Sequence, residues 1–420
     1  MPQAESIADK RASAGPERIR VVLFSEGLAR YRVPVFAELA RRPGIDLEVC
    51  YSQTPWLKNA EPKGFEAREV PFRVVSKKPM LLFQGEPWRV AGRRIDRPDV
   101  LVLGWNMRHL ELAPATWRAH LHGTGVVYWG HGYSRHDSAR KRFIRNRLAR
   151  LADAIVLYYA SRIDLLVSEG LDRRRLFAAP NAIDQAPIQQ AREGWERDAQ
   201  SLALFRQTRE LHEGPVLLFV ARLLPSRRLH LLIEALPAVA QVFPSVQAVI
   251  IGDGEDIEHQ RARDLAIKCG VRVREPEDSA FPPGEGPRLR FVDAIYNEEQ
   301  IAPWFLCADA MVFPSGLGLS VLHAFGYGLP VVAGDDPSWH YPEFIAVRDD
   351  HNARLFSSTD PTDLARQLIR LLSDPRRLKM LGQNALEDVL QEYNVPRMVD
   401  GLEEAIRFAY RERRGNRRRQ

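Results

Sequence analysis

The sequence predicts an α/β protein built from two Rossmann-like, doubly wound domains facing each other across a cleft. Three observations lead there. Short, near-continuous apolar runs alternate with segments of helical period, which is how buried parallel strands and their crossover helices read. The alternation lapses over a polar stretch near the middle of the chain and then restarts. Finally, 420 residues exceed what one hydrophobic core organises, so two folding units are expected.

The composition, 45% hydrophobic and 27% charged, is that of a globular chain and excludes a disordered or fibrous one. Residues 1–18, MPQAESIADKRASAGPER, are polar, lack the apolar segment of a secretory signal, and are expected to form a disordered tail. No run reaches the roughly 18 to 20 apolar residues that a bilayer span needs; the best are short stretches such as DAIVLYYA. Cys50, Cys269 and Cys307 lie far apart without metal-ligand spacing, which fits a reducing, cytoplasmic compartment and small-hydrophobe roles.

The first domain is expected over 19–190, its strands being IRVVLF, IDLEVCYS, DVLVLGW, VVYWGH and DAIVLYYA, with VPVFAELARR the first crossover helix. Residues 191–214 fall in a polar stretch with no strand-like run and read as an interdomain linker. The second domain, 215–392, restarts with VLLFVAR. A helix with Leu229, Leu232, Ile233 and Leu236 at i, i+3, i+4 and i+7 follows, then VQAVIIGDG, RLRFVDA, DAMVFPS and PVVAG. Residues 393–420 read as a helix packing back toward the first domain and ending in a basic tail.

Two stretches carry phosphate-type chemistry. In PSGLGLSVLHAFGYG a strand passes through Gly316 and Gly318 into a helix, so the amides of Gly318, Leu319 and Ser320 suit an anion. Read alone, such a turn also fits plain packing. In VARLLPSRRLHLLIEAL Arg222 ends a strand and Arg227 precedes a helix, where planar guanidinium groups can clamp phosphate oxygens or simply be solvated. Two such signals on neighbouring βα turns of one domain reinforce each other.

These residues, together with IIGDGED, RLRFVDAIYNEEQIAPWFLCADAMVFPS, GLSVLHAFGYGLPVVA and DLARQLIRLLSD, resemble the C-terminal half of the family 4 glycosyltransferases, whose fold is GT-B. The first half is similar more loosely through SEGLARYRVPVFAELA, RPDVLVLGW, VVYWGHG and DAIVLYYASRIDLLVSEGLDRRRLFAAPNAID. The resemblance implies a retaining, metal-independent hexosyl transfer from a nucleotide-sugar donor, held by the second domain, to a saccharide or lipid-linked acceptor on the first. The nucleotide sugar is then a co-substrate, and no cofactor is implied.

Carried over residue by residue, Arg222 and Arg227 grip the donor diphosphate together with the amides at Gly318, Leu319 and Ser320. Ile295 lines the nucleobase pocket, and Gly27 belongs to the first domain's glycine loop. His131 lies beneath the reacting carbon, so that His131, Arg222 and Arg227 form the catalytic set. The family places two glutamates eight positions apart around the loop; here Ser315 and His323 stand there, on the donor-sugar and the ribose side respectively, and neither brings a negative charge. Glu343 is the candidate acid toward the donor sugar.

The stretch SARKRFIRNRLARLADA is helical in pattern and strongly basic. It reads either as a solvated face or as a peripheral contact with an anionic membrane carrying a lipid-linked acceptor. Nucleic acid is not expected as a partner, since neither a DNA-binding fold nor aromatic interleaving accompanies the arginines. A same-fold sugar-nucleotide epimerase and a non-catalytic nucleotide-sugar-binding homologue are the alternatives.

Overall fold

The computed structural model describes residues 18–75, 80–132, 138–211 and 213–417. The expected N-terminal tail therefore lies outside the described residues, save Arg18, as does the end of the basic C-terminus. The chain divides into two units, one made of Met1–Pro180 with Val395–Gln420 and the other of Asn181–Asn394.

The first unit holds strands β1 (Ile19–Ser25), β2 (Ile45–Tyr51), β3 (Glu66–Glu69), β4 (Arg73–Val75), β5 (Met80–Leu82), β6 (Val100–Gly104), β7 (Gly125–Gly130), β8 (Ala154–Leu157) and β9 (Leu176–Ala178). Seven form a parallel sheet in the order β3-β2-β1-β6-β7-β8-β9, and β4 pairs antiparallel with β5. The central strands are buried on both faces, as Val21, Val22, Leu101, Val126, Val127 and Val156 show with no exposed surface. That explains their unbroken apolar runs. The edge strand β3, sequence EARE, is partly exposed, and its charges blunt an unpaired edge.

The second unit holds β10 (Val216–Val220), β11 (Gln247–Ile251), β12 (Arg272–Arg274), β13 (Arg288–Val292), β14 (Ala310–Phe313), β15 (Val331–Gly334) and β16 (Ala353–Phe356), all parallel in the order β12-β13-β11-β10-β14-β15-β16. Two apolar clusters cover the two faces of this sheet: Leu218, Val249, Met311 and Val331 belong to one, and Leu217, Ala248, Val312 and Val332 to the other. Alternation along each strand produces this division. Burial pushes the Cys50 thiol of the first unit up to about 12 and the Cys307 thiol of the second up to about 11, which suits packing and not thiolate chemistry.

Each sheet has one topological switch point. In the first, the chain runs outward from β1 through β2 to β3, then crosses to β6 and runs the other way. In the second, the reversal falls between β10 and β14. Loops leaving the carboxyl ends of the two strands at such a point diverge and open a crevice.

The helix Val395–Arg417 belongs to the first unit. Met398, Val399, Leu402, Ala405, Ile406 and Ala409 are fully buried along it, an apolar stripe of helical period. It lies against β7, β8 and β9 and the helix Val33–Arg41. Close approach explains Gly401, where a Cβ would stand 2.0 Å from the Ala178 carbonyl oxygen. Arg413 pairs with Asp153 at 2.7 Å and Arg42 with Asp400 at 2.9 Å.

Residues 191–214 are not a free linker. Helices Gln185–Arg197 and Ala199–Thr208 occupy most of this stretch inside the second unit. Ile188 and Ala191 enter its core, with Trp195, Leu202 and Phe205 packed against it. Arg192 donates to the Gly326 carbonyl at 3.1 Å and the Trp195 indole to the Glu299 carbonyl at 3.0 Å. The polar composition conceals an amphipathic face, and the boundaries move to 180/181 and 394/395.

Candidate functional site

In the second unit the β10 and β14 turns meet at the switch point. β10 ends at Val220, and a short 3-10 turn, Pro225–Arg227, leads into the helix Leu229–Ala240. Arg227 reaches across to donate to the Gly316 carbonyl on the β14 turn. Its guanidinium lies 5.8 Å from the Phe313 ring centroid and 5.5 Å from that of Tyr341. Burial lowers the Arg227 pKa, Tyr341 offsets this in part, and the charge of Arg222 lowers it further. Two guanidinium groups thus repel each other at the crest, and an anion between them would relieve that repulsion.

Arg222 is exposed, and its charge is also felt by Tyr296, whose hydroxyl donates to Asp253 at 3.2 Å. Arg228, next in line, sits at φ 52°, donates to the Ser358 carbonyl at 3.0 Å and lies 3.5 Å over the Trp339 ring. A left-handed non-glycine residue costs on the order of 1–2 kcal/mol. Here these two contacts hold it.

The β14 turn is built tightly. Gly316 has φ 70°, and a Cβ there would stand 2.8 Å from the Arg227 guanidinium. The Gly316 amide donates to the Trp339 carbonyl at 2.7 Å. The Leu317 amide donates to His340 Nδ1 at 3.2 Å, while Nε2 of the same ring lies 2.9 Å from the Gly334 carbonyl. These partners define a neutral imidazole protonated on Nε2. Gly318, Leu319 and Ser320 are partly exposed, and their amides have no recorded backbone partner among the described residues, so they remain available to an anion.

The sugar-side candidates are placed differently. Ser315 is 1% exposed and donates to the Trp339 carbonyl at 3.1 Å. Its hydroxyl is spent on the turn, so the structure does not present it to a ligand. Glu343 is 8% exposed and accepts from the Asn181 side-chain amide. Its other carboxylate oxygen would be 3.7 Å from a Cβ on Gly318, which sets it beside the turn. His323 does stand beside a carboxylate after all: its Nε2 lies 2.7 Å from Glu298 Oε1, which also accepts from the Tyr327 hydroxyl at 2.5 Å. Glu298 comes from the helix Glu298–Cys307 and returns a negative charge to the loop that its own sequence lacks.

Ile295 lines a separate cavity of about 480 Å³ with Trp195, Phe205, Arg209, Arg290 and Trp304. A further cavity of about 630 Å³, bordered by Gly252, Asp253, Gly254 and Asp293, opens beside Leu223 at the same crest. Neither of these two cavities is lined by Arg222, Arg227 or Gly316. His323 lines neither.

In the first unit, a cavity of about 330 Å³ opens at the carboxyl ends of β1, β6, β7 and β8 and is lined by Gly27, Glu26, Arg32, His109, His131 and Tyr158, among others. Gly27 is buried against the following loop, where a Cβ would lie 2.8 Å from Leu57 Cδ2. Its role is therefore to let the Glu26 loop close. The His131 ring is open to the cavity and lies 4.6 Å from Tyr158. The surrounding wall, and secondly the Arg32 charge, push its imidazole down to about 4. Solvent at the mouth softens the first effect; the second keeps the same sign. His131 is neutral near pH 7.

Sequence reasoning missed Glu26, Asn106, His109 and Arg32 in this cavity, and Glu298, His340 and Asn181 in the second unit. Glu26 and Glu298 stood within quoted motifs, SEGL and YNEE. Arg32 and Asn181 also stood within quoted motifs, SEGLARYR and APNAID; Asn106, His109 and His340 carry no local signal, because only the fold sets them beside their partners.

Residues 214–374 match the family model "Glycosyl transferases group 1". The D-inositol 3-phosphate glycosyltransferase of Streptomyces bingchenggensis is 36% identical over 92 residues, 21% of this chain and 19% of that protein. The GDP-mannose-dependent alpha-(1-6)-phosphatidylinositol monomannoside mannosyltransferase of Mycolicibacterium smegmatis is 27% identical over 206 residues, 49% of this chain and 51% of that protein. The chain thus spans about a fifth and about half of the length of these two curated relatives. Among solved structures, Anabaena HepE in complex with UDP superposes with a TM-score of 0.66 at 16% identity, covering 93% of this chain and 99% of that one. With two parallel Rossmann-like sheets and a Glycosyl transferases group 1 segment over 214–374, the chain is a homologue of the family 4 glycosyltransferases and has the GT-B fold.

Proposed function

We propose that the chain is a retaining glycosyltransferase that moves a hexose-type sugar from a nucleotide-sugar donor to a saccharide or lipid-linked saccharide acceptor, in the assembly of a cell-surface polysaccharide or glycolipid. The observation that carries this reading is the bond of Arg227 to the Gly316 carbonyl at the switch point of the second sheet, with Arg222 near enough for its charge to be felt by Arg227. Cleaving a sugar–phosphate bond leaves negative charge on the departing diphosphate. Preorganised guanidinium and amide donors stabilise that charge more in the transition state than in the ground state. The charge is countered by protein groups, and the proposal includes neither a metal nor a cofactor.

In this reading Arg222, Arg227 and the amides of Gly318, Leu319 and Ser320 hold the diphosphate. His323, backed by Glu298, exchanges hydrogen bonds with ribose hydroxyls, and Ile295 borders the base. Glu343 acts from beside the turn on the donor sugar. Neutral His131 serves the reacting carbon, where an imidazolium would oppose the positive character that develops there. The first unit takes the acceptor.

The helix Ala139–Ala149 supports a peripheral contact with an anionic membrane on the cytoplasmic side. Arg140, Lys141 and Arg147 are exposed beside Phe143 and Ile144, the pairing of basic and apolar groups that an anionic interface attracts. No helix of the described residues is long and apolar enough to cross a membrane.

The test is nucleotide release from a panel of nucleotide sugars, with and without a lipid-linked saccharide. Release that depends on acceptor supports the transferase. Interconversion of the donor without transfer would replace it with an epimerase, and binding without turnover with a non-catalytic homologue.

A further inference from the structure

Strand β13 reads RLRFV, and its alternation is unusual for a buried parallel strand. Leu289 and Phe291 join one apolar cluster of the second unit, so Arg288 and Arg290 turn to the opposite face, the one that carries Val249 and Met311. Arg290 is 3% exposed. A guanidinium set so deep is costly unless other groups meet it.

The partners present meet it only in part. β12 lies beside β13 with Arg274 opposite Arg290, and both donate to Glu210 Oε2, at 2.6 and 3.2 Å. One carboxylate thus serves two guanidinium groups. Arg290 also donates to the Arg209 carbonyl at 2.7 Å and Arg274 to the Asp278 carbonyl at 3.2 Å. Arg209 adds a third positive charge: its side chain is exposed, has no recorded hydrogen bond or ion pair among the described residues, and lies 5.8 and 5.7 Å from the ring centroids of Phe205 and Trp304. Burial first, and then the charge of Arg274, push the Arg290 pKa down to about 10, and Glu210 offsets this only in part. The excess is positive, and an oxyanion would relieve it.

These three arginines line the cavity of about 480 Å³ together with Trp195, Phe205 and Trp304, a size within the roughly 300–1,000 Å³ of small-molecule sites. Phe205 meets Trp304 edge to face at 5.1 Å and 87°, and Trp195 at 6.1 Å and 65°. Three rings locked against one another offer a stiff wall to a flat apolar body. Of the carboxylates in the lining, Glu275 lies 3.0 Å from His259 and 3.3 Å from Arg263, whereas Asp293 and Glu299 follow the carboxyl end of β13 with Ile295. The arginines on the strands and the acids beyond them give the cavity a positive and a negative end.

We propose that this cavity is a binding site for a small organic anion with a flat aromatic body, an aryl carboxylate or aryl phosphate, its oxyanion held by Arg290 and Arg209 and its ring by Trp195, Phe205 and Trp304. The site is separate from the diphosphate turn, because neither Arg222, Arg227 nor Gly316 lines it. It goes beyond the transferase reading and does not depend on it. Ile295 reaches the cavity at its acidic end, so a nucleotide held at the turn is a neighbour of this ligand and not the occupant.

The probes are 2-naphthoate, its neutral counterpart 2-naphthamide, and inorganic phosphate, titrated calorimetrically against the full chain. 2-Naphthoate is expected to bind in the range of about 0.1–1 mM, about tenfold or more tighter than the amide, which keeps the shape and lacks the charge. Inorganic phosphate, without a ring, should bind about tenfold more weakly than 2-naphthoate. Arg290→Gln should weaken 2-naphthoate by about tenfold or more and leave the amide within about twofold. Should that buried substitution melt early, the exposed Arg209→Gln serves in its place, with a weakening of about threefold to fivefold and an unaltered melting temperature. Excess UDP or GDP should leave the affinity for 2-naphthoate within about twofold.

An amide that binds as tightly as 2-naphthoate, affinity indifferent to both substitutions, or no binding of 2-naphthoate by the wild type overturns the proposal. Displacement of 2-naphthoate by UDP or GDP also overturns it and assigns the cavity to the nucleotide of the transferase reading. Binding that depends on either arginine and survives excess nucleotide sustains the site, whatever nucleotide release shows of the transferase.

Discussion

Replacing Arg222 with Met tests whether the crest of the second sheet stabilises a departing diphosphate. Arg222 is exposed and makes no recorded hydrogen bond among the described residues, so its removal should change stability by no more than about 0.5 kcal/mol. It also relieves the repulsion that lowers the Arg227 pKa, which offsets any small loss. The catalytic effect should be far larger. Loss of one preorganised donor to a developing anion costs about 2.7–4 kcal/mol, roughly 10²–10³ in kcat. The assay is initial-rate nucleotide release at saturating donor, alongside thermal unfolding of the same samples. A melting temperature within about 1–2 °C of wild type with kcat down at least a hundredfold is expected. A fall in kcat under about fivefold, or one that tracks unfolding, would refute the argument. Arg227→Met is a useful contrast. Its guanidinium also bonds to Gly316 across the two turns, so there kcat and stability should fall together, the latter by about 1–3 kcal/mol.

Three further outcomes are expected. Gly316→Ala should destabilise the second unit by on the order of 1–2 kcal/mol, because φ is 70°, and should weaken nucleoside diphosphate binding by crowding Arg227; calorimetric titration of a diphosphate panel checks the second effect. His131 should keep a neutral-imidazole NMR signal from pH 7.5 down to about pH 5, and Arg32→Met should raise its midpoint. The sign follows from proton binding: between the ordinary value of 6.5 and about 4 the unfolded chain holds more protons at this residue, so its contribution to stability is present above 6.5 and is lost as pH falls through that window. Charge reversal of Arg140, Lys141 and Arg147 should abolish cosedimentation with phosphatidylglycerol vesicles and leave the weak association with phosphatidylcholine unaltered, while added salt should reproduce the loss in the wild type.

The legible parts of this protein were those written in local pattern. Apolar runs located the strands because a parallel strand covered on both faces must be apolar throughout. Arg222, Arg227 and Gly316 could be placed on βα turns because each follows closely on an apolar strand run. Ser315 was read from the same turn and Glu343 from the next one, yet whether a hydroxyl faces a ligand or the Trp339 carbonyl depends on a loop 24 residues away. The helices at 185–208 were hidden for a related reason: their apolar face is narrow, and their polar composition imitates a connector.

By itself, then, the sequence determined the central strands of the two parallel sheets and their order along the chain, since each follows from an apolar run within a short window. The tertiary structure alone decided which charges meet: Glu298 with His323, Glu26 with His109 and Asn106, and Arg32 within its ring of aromatics. Strand order sets those encounters, because the switch points bring together loops from β1 and β6, or from β10 and β14, that lie some 80 to 90 residues apart. Electrostatic partnership acts through space at a few ångströms, and no local pattern records it.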